Sequence, residues 1–88
     1  MSMEDAKYFF GQTVRTFRNG IRLSQEKFAF KAGIDRTYLA SVENGKRNVS
    51  IEIICRIVNG LSVSLSEFFQ RMEEIKTTND NTRIKKKN

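Results

Sequence analysis

The sequence contains no histidine, no proline and no tryptophan, and only one cysteine, Cys55. Without histidine there is no imidazole general base and no histidine-ligated metal. A single cysteine allows neither an intrachain disulfide nor a thiolate zinc site. No glycine-rich phosphate loop is present, and no carboxylate cluster lies within helical reach of a plausible nucleophile. The chain is therefore expected to be no enzyme, to hold no metal or other cofactor, and to take no small-molecule ligand. Such sparse cysteine suits a reducing cytoplasm, with Cys55 a small buried hydrophobe in a helix interior. No uninterrupted apolar run exceeds three residues, too few for a transmembrane span or a signal-peptide core, so no membrane partner is expected. Eighty-eight residues leave room for one small domain, and 39% hydrophobic with 10% aromatic residues make a compact core feasible.

Charge is plentiful and uneven. Sixteen Lys and Arg stand against ten Asp and Glu, a formal net charge of +6. Residues 1–14 are slightly acidic, residues 15–56 carry a net +5, residues 57–75 a net −2, and the last thirteen a net +4. A +5 segment within a folded domain attracts a polyanion, nucleic acid being the commonest. A solvated basic surface has the same composition, so charge alone does not separate the two.

Glycine marks the boundaries. Three of the five glycines occur as Asn19-Gly20, Asn44-Gly45 and Asn59-Gly60. Apolar residues before them recur at three- and four-residue spacing, so the pairs read as left-handed helix C-caps rather than hairpin turns. A first helix is predicted over Glu4–Arg18, burying Phe10, Val14 and Phe17. Ser24 caps a second over Gln25–Ala32, burying Phe28, Ala29 and Ala32, which Gly33 ends. Asp35 caps a third over Arg36–Asn44 with Leu39 and Val42 inside, and Ser50 a fourth over Ile51–Asn59 with Ile54, Ile57 and Val58 inside. Ser64 and Glu67 form a capping box for a fifth helix bearing Leu65, Phe68, Phe69 and Met72. The expected fold is all-α, a compact five-helix domain over residues 1–76, followed by a basic, disordered tail over residues 77–88.

The informative stretch is Gln25–Val42. Two helices crossing steeply over a short turn need a small residue at their closest approach, here Ala29, and one tolerant of positive φ in the turn, here Gly33. Phe28, Ile34, Leu39 and Val42 stand at offsets that fill the angle. This is the helix-turn-helix pattern, which a helical hairpin without a DNA partner would share. On the third helix, packing leaves over Arg36, Thr37, Tyr38, Ala40, Ser41, Glu43 and Asn44. Arg36 suits a bidentate pair to guanine O6 and N7, and Thr37 offers a methyl or a hydroxyl to a base edge. The alternative for Arg36 is a surface pairing with Asp35 or Glu43; Tyr38 either packs beneath the helix or meets phosphate and DNA shape. Gln25, at a helix N-terminus that favours anions, and the turn Lys46, Arg47, Asn48 and Ser50 fit phosphate contacts. For Gln25 and Ser50 such contacts are compatible with capping; for Lys46 and Arg47 the alternative is a solvated loop.

Leu23-Ser24-Gln25-Glu26-Lys27-Phe28-Ala29, Ala32-Gly33-Ile34 and Tyr38–Arg47 resemble the lambda-repressor/Cro (Xre-like) helix-turn-helix domain, a similarity that covers about residues 9–75. Asp35-Arg36-Thr37-Tyr38, Arg47-Asn48-Val49-Ser50 and Gly60–Ser64 followed by Phe68-Phe69 resemble, within it, the controller proteins of restriction–modification systems. The resemblance implies a small homodimeric transcription regulator of the bacterial or phage cytoplasm, associated with the nucleoid. Such a regulator binds palindromic operators in double-stranded DNA, activating at low occupancy and repressing at high. It also implies that Arg36 and Thr37 read bases, that Tyr38 and Ser41 line the DNA surface, and that Gln25, Arg47, Asn48 and Ser50 hold phosphates. A phage-type or chromosomal repressor, or the antitoxin half of a two-protein system, shares much of the pattern. A dimer would pair through the acidic, aromatic region bearing Val63, Leu65, Phe68, Phe69 and Met72 with Ile51 or Ile53, a set that must also supply core. The cluster Arg83-Ile84-Lys85-Lys86-Lys87 either adds nonspecific phosphate contacts or simply solubilises the chain.

Overall fold

A computed structural model describes the backbone of residues 1–87 and the side chains of residues 1–79. It contains five helices and, among the described residues, no strand: α1 (Met3–Gly20), α2 (Gln25–Ala32), α3 (Arg36–Glu43), α4 (Ile51–Leu61) and α5 (Leu65–Lys87). The helices begin where the side chains direct. Ser24, Asp35, Ser50 and Ser64 each accept the backbone N–H three residues on, at 3.1, 3.1, 3.2 and 3.0 Å. Ser2 does the same for α1, accepting from Asp5 at 3.0 Å, which starts that helix one residue before the predicted position.

The first four helices all end in a Schellman motif, in which two successive N–H groups turn back to the last helical carbonyls. The residue in the turn position is Arg22, Gly33, Gly45 and Ser62 in order. Only one of the three Asn-Gly pairs therefore supplies a left-handed cap, Gly45 at φ +73°. Gly20 and Gly60 lie inside their helices, and Arg22 (φ 60°) and Ser62 (φ 61°) take the left-handed conformation two residues later. At Gly60 the reason is space, since a Cβ there would lie 3.1 Å from the Phe28 ring and 3.2 Å from the Ala32 Cβ. Gly60 lets α4 approach α2. Nothing in the structure explains Gly20.

The core gathers Phe10, Val14, Phe28, Ala29, Ala32, Leu39, Val42, Ile57, Val58, Leu61 and Phe68. Phe68 has no exposed surface; its ring sits 5.2 Å from Phe10 and is stacked at 5.8 Å on Phe17. This aromatic seam joins α1 to α5. Phe17 and Ile54, expected inside, are half-buried at the edge of this cluster, and Cys55 is half-buried too. On its other side α1 crosses the end of α3 at Gly11. A Cβ on Gly11 would overlap the Val42 carbonyl oxygen and lie 2.8 Å from that of Glu43. Neither atom can yield, because both belong to the backbone of the adjacent helix.

The fifth helix does not stop near Lys76. It continues to Lys87, where a disordered tail was expected; no Gly or Pro follows Gly60 to end it, although Thr77 to Thr82 are weak helix formers. The side chains of Arg83, Ile84, Lys85, Lys86 and Lys87 lie outside the described residues. Among the described residues no helix is long and apolar enough to cross a membrane.

Two substitutions test this packing. Gly11→Ala is expected to lower stability by about 3 kcal/mol, as overpacking does, although alanine favours a helix by about 1 kcal/mol. Ser62→Gly is expected to raise it by about 0.5–1 kcal/mol, by relieving a Cβ in the left-handed region against a gain in unfolded-state freedom. Urea unfolding at neutral pH measures both.

Candidate nucleic-acid interface

The bend between α2 and α3 follows from three local features. Gly33 (φ +73°) ends α2, its N–H bonding to Phe30 and that of Ile34 to Ala29. Asp35 starts α3 by accepting the Tyr38 N–H. Buried Phe28, Ala29, Leu39 and Val42 fill the angle, and Ile34 packs at its edge. The first turn of α3 projects Arg36 and Thr37 into solvent, and neither side chain has a hydrogen bond or ion pair among the described residues. Arg36 pairs with neither Asp35 nor Glu43. Tyr38 is half-buried and packs on the core.

Glu43 was expected on the exposed face of α3. The structure buries it completely, at 0% exposure, at the C-terminal end of that helix. Arg18, itself 9% exposed, approaches it as a fork: Nε donates to Oε2 at 2.6 Å and Nη2 to Oε1 at 2.9 Å. Gln25 Nε2 donates to Oε1 at 3.0 Å, and Arg15 Nε reaches the same oxygen at 3.4 Å. The remaining Arg18 nitrogen caps the Leu23 carbonyl at 2.9 Å, and Arg15 also donates to Asn44 at 3.2 Å. One carboxylate thus ties α1, the loop before α2, the first residue of α2 and the end of α3. Burial pushes the Glu43 carboxyl upward, but the hydrogen bonds from Arg18 and Gln25, with the Arg18 charge and Arg15, carry it below the ordinary glutamate value. The bond to Glu43 raises the Arg18 guanidinium in turn, against the opposing effect of its own burial.

The sequence reading missed this cluster, yet its period contains it. Glu43 is four residues after Leu39, and Arg18 four after Val14, so each lies on the apolar stripe of its helix. A charge on such a stripe, facing an opposite charge on the neighbouring stripe, was the available signal. Gln25, assigned to phosphate, is held in place by the same carboxylate.

After α3 the chain turns back past its own first turn. Arg47 lies over the Tyr38 ring, 5.1 Å from the centroid, and its Nε donates to Ser41 Oγ at 2.9 Å. Ser41 Oγ in turn donates to the Tyr38 carbonyl at 2.7 Å. The loop cation is therefore docked on α3. Lys46 and Asn48 are exposed beside it, and Ser50 caps α4. Together Arg36, Thr37, Gln25, Arg47 and the N-terminus of α2 present donors on or beside one helix, suited to an anionic, hydrogen-bonding surface.

The pairing set divides by exposure. Phe68 leaves it, being wholly within the core. Ile51 (75% exposed), Leu65 (49%) and Phe69 (38%) are open, while Ile53, Val63 and Met72 are half-buried against the core. An apolar groove of about 150 Å³ runs beside Phe69, lined also by Met3, Phe10, Val49 and Met72.

A helix-turn-helix family model matches residues 14–68, which include α2, α3 and the Glu43 cluster. Control protein C.MunI of Mycoplasma sp is 45% identical over 73 residues, spanning 82% of this chain and 99% of that protein. The chain is a restriction–modification controller protein of the helix-turn-helix family. Solved controllers share its architecture. C.AhdI from Aeromonas hydrophila has 40% identity and a TM-score of 0.69, over 72% of this chain and 96% of that one. The C.Esp1396I tetramer, in complex with its natural 35 base-pair operator, has 30% identity and a TM-score of 0.73, over 84% and 95%. Other solved forms of C.Esp1396I change an Arg, a Thr and a Tyr at consecutive positions, the three residue types that stand together in this controller as Arg36-Thr37-Tyr38.

The buried cluster of this controller makes a stability prediction. Glu43→Gln leaves the Arg18 charge buried without its counterion and is expected to cost about 3–5 kcal/mol. Because the folded-state carboxyl is lowered, its stabilisation is fully present above the ordinary glutamate range and is lost as pH falls through the folded value. Thermal unfolding across the acid range should show wild type losing stability there, while Glu43→Gln starts lower and falls less steeply.

Proposed function

We propose that the protein is a homodimeric transcription regulator, without catalytic activity or cofactor, that controls a restriction–modification system from palindromic operators in cytoplasmic, nucleoid-associated DNA. Residues 1–76 form the reading and pairing unit, and the basic end of α5 adds charge to it. The observation that carries this reading is the pair Arg36 and Thr37, exposed and uncommitted at the front of a helix locked at its other end. Placed in a major groove, Arg36 donates two hydrogen bonds to a guanine, and Thr37 meets the neighbouring base by its methyl or hydroxyl. Tyr38 and Ser41 line the approach. Gln25, Lys46, Arg47, Asn48 and Ser50 fix the register on phosphates, which carry no sequence information.

One such helix covers only a few base pairs. Two copies related by a twofold axis stand about 34–36 Å apart and read both halves of a palindrome. Exposed Ile51, Leu65 and Phe69, the last lining the apolar groove with Met72, give the pairing face, with Ile53 and Val63 half-buried. Residues 57–75, which supply most of this set, carry a net charge of only −2, so two copies approach without strong repulsion. The operator complex of C.Esp1396I supports the same reading. Activation at low occupancy and repression at high occupancy complete it.

Competition binding against randomised DNA tests the roles. Arg36→Ala is expected to cost roughly 1–3 kcal/mol on the selected site and to relax one base position, whereas Arg47→Ala weakens all sequences alike. If both variants select the wild-type motif at unchanged strength, the assignment is wrong. Sedimentation at micromolar concentration should give a mass near twice 10.2 kDa. A persistent monomer that binds one half-site contradicts the dimer.

A further inference from the structure

Arg56 belongs to the basic segment by sequence, but its guanidinium, though partly exposed, is engaged by two acceptors within the protein. On α4, Nη1 donates to the Gly33 carbonyl at 2.6 Å and Nη2 to Glu52 Oε2 at 2.8 Å, one turn earlier on the same helix. Gly33 is the left-handed residue that ends α2 and begins the turn to α3, and its Cα side lies against the same nitrogen, 3.4 Å from where a Cβ would stand. A carbonyl at that position lies beyond the last helical turn and receives no donor from its own helix. The end of a helix also carries partial negative charge, which a cation there satisfies. Arg56 is thus a cap for α2 supplied by a different helix. Glu52 fixes its orientation.

We infer that Arg56 is a positioning residue for DNA reading: from α4 it holds the turn that sets the angle of the recognition helix, and it makes no contact with DNA itself. The inference rests on the proposed DNA-binding function. Three observations carry it. The bond is made to backbone, so it constrains the path of the chain whichever side chains follow. It joins the bend to α4, the helix whose N-terminus adjoins the phosphate-facing loop and whose Ile51 and Ile53 stand in the pairing set. The Arg56 charge is already matched by Glu52, so the residue adds little to the field that draws a polyanion. Since the pair is exposed at 46% and 71%, its stabilisation is small, and a variant is expected to fold.

A residue that touches phosphate and one that aims a helix respond differently to salt. Losing a phosphate contact reduces the slope of log affinity against log salt by about one. Losing a positioning contact leaves that slope intact and erodes discrimination. For Arg56→Ala we expect the ratio of specific to nonspecific affinity to fall at least about fivefold, with an unchanged salt slope and an unchanged dimer mass. Arg56→Lys, which keeps one donor to Gly33 but loses the fork, should recover part of the ratio. Glu52→Gln, which removes the charge that orients the guanidinium but keeps a neutral acceptor, should fall between wild type and Arg56→Ala. The measurement uses the whole chain, its wild-type selected site and an unrelated duplex of equal length, at several salt concentrations well below each variant's unfolding temperature.

A slope reduced by about one in Arg56→Ala makes Arg56 a phosphate contact and overturns the inference. An unchanged affinity ratio overturns it too. If Arg56→Ala fails to fold, Arg56→Lys and Glu52→Gln decide the question by the same two readings. Failure of the wild type to select any sequence instead removes the DNA-binding reading itself, so the two failures are distinct.

Discussion

A carboxylate sealed inside an 88-residue domain is a costly group, and the architecture is arranged around meeting that cost. Glu43 sits at the C-terminal end of α3, where the helix already carries partial negative charge and an anion is least welcome. Two arginines and an amide therefore converge on it from elements separated in sequence. The close crossing of α1 over α3 at Gly11 is what brings Arg15 and Arg18 within reach. Without that glycine the helices would stand further apart and the carboxylate would be stranded. The ion pair and the crossing depend on each other, and together they fix the far end of the recognition helix.

The cluster also changes how the net charge is read. Of the nine basic residues between Arg15 and Arg56, Arg15 and Arg18 serve Glu43, Arg56 serves Glu52 and the Gly33 carbonyl, and Arg47 is docked on Tyr38. Arg22, Lys27, Lys31, Arg36 and Lys46 have no ion pair among the described residues. The basic segment is therefore part scaffold and part surface. Its field reaches a polyanion, but several of the cations responsible are bound inward. A charge count along the chain cannot make that distinction, because pairing is decided between helices.

The same division runs through what was legible in the sequence. Helix starts are local, one hydroxyl or carboxylate and the N–H three residues on, so Ser24, Asp35, Ser50 and Ser64 could be read directly. The helix-turn-helix bend was legible for the same reason: Ala29, Gly33 and Leu39 are close neighbours in sequence. Glycines are harder, because they serve two masters. Gly33 and Gly45 answer to backbone conformation, while Gly11 and Gly60 answer to the approach of another helix, which no local window contains. The Asn-Gly reading failed at Gly60 because space outweighed conformation. Glu43 and Arg18 escaped because polar residues on an apolar stripe look like surface until their partners are known. Phe68, assigned to pairing, lies in the core because α5 turns that face onto Phe10 and Phe17.

The two arginines nearest the front of α3 are treated in opposite ways, and chemistry accounts for it. Under the proposed roles, phosphates are the same at every step of a duplex, so a donor to them gains by being placed in advance: Arg47 is stacked on Tyr38 and tied to Ser41, with much of its ordering already done. A base reader must exchange water for one particular edge, and any carboxylate beside it would compete for its fork. Both acids on or next to α3 are already engaged, Asp35 by the Tyr38 N–H and Glu43 by Arg18 and Gln25. Arg36 is left with no internal acceptor. Its availability is a consequence of how completely the neighbouring anions are satisfied, so on the role proposed for Arg36 the buried end of α3 is a condition for the exposed end to read.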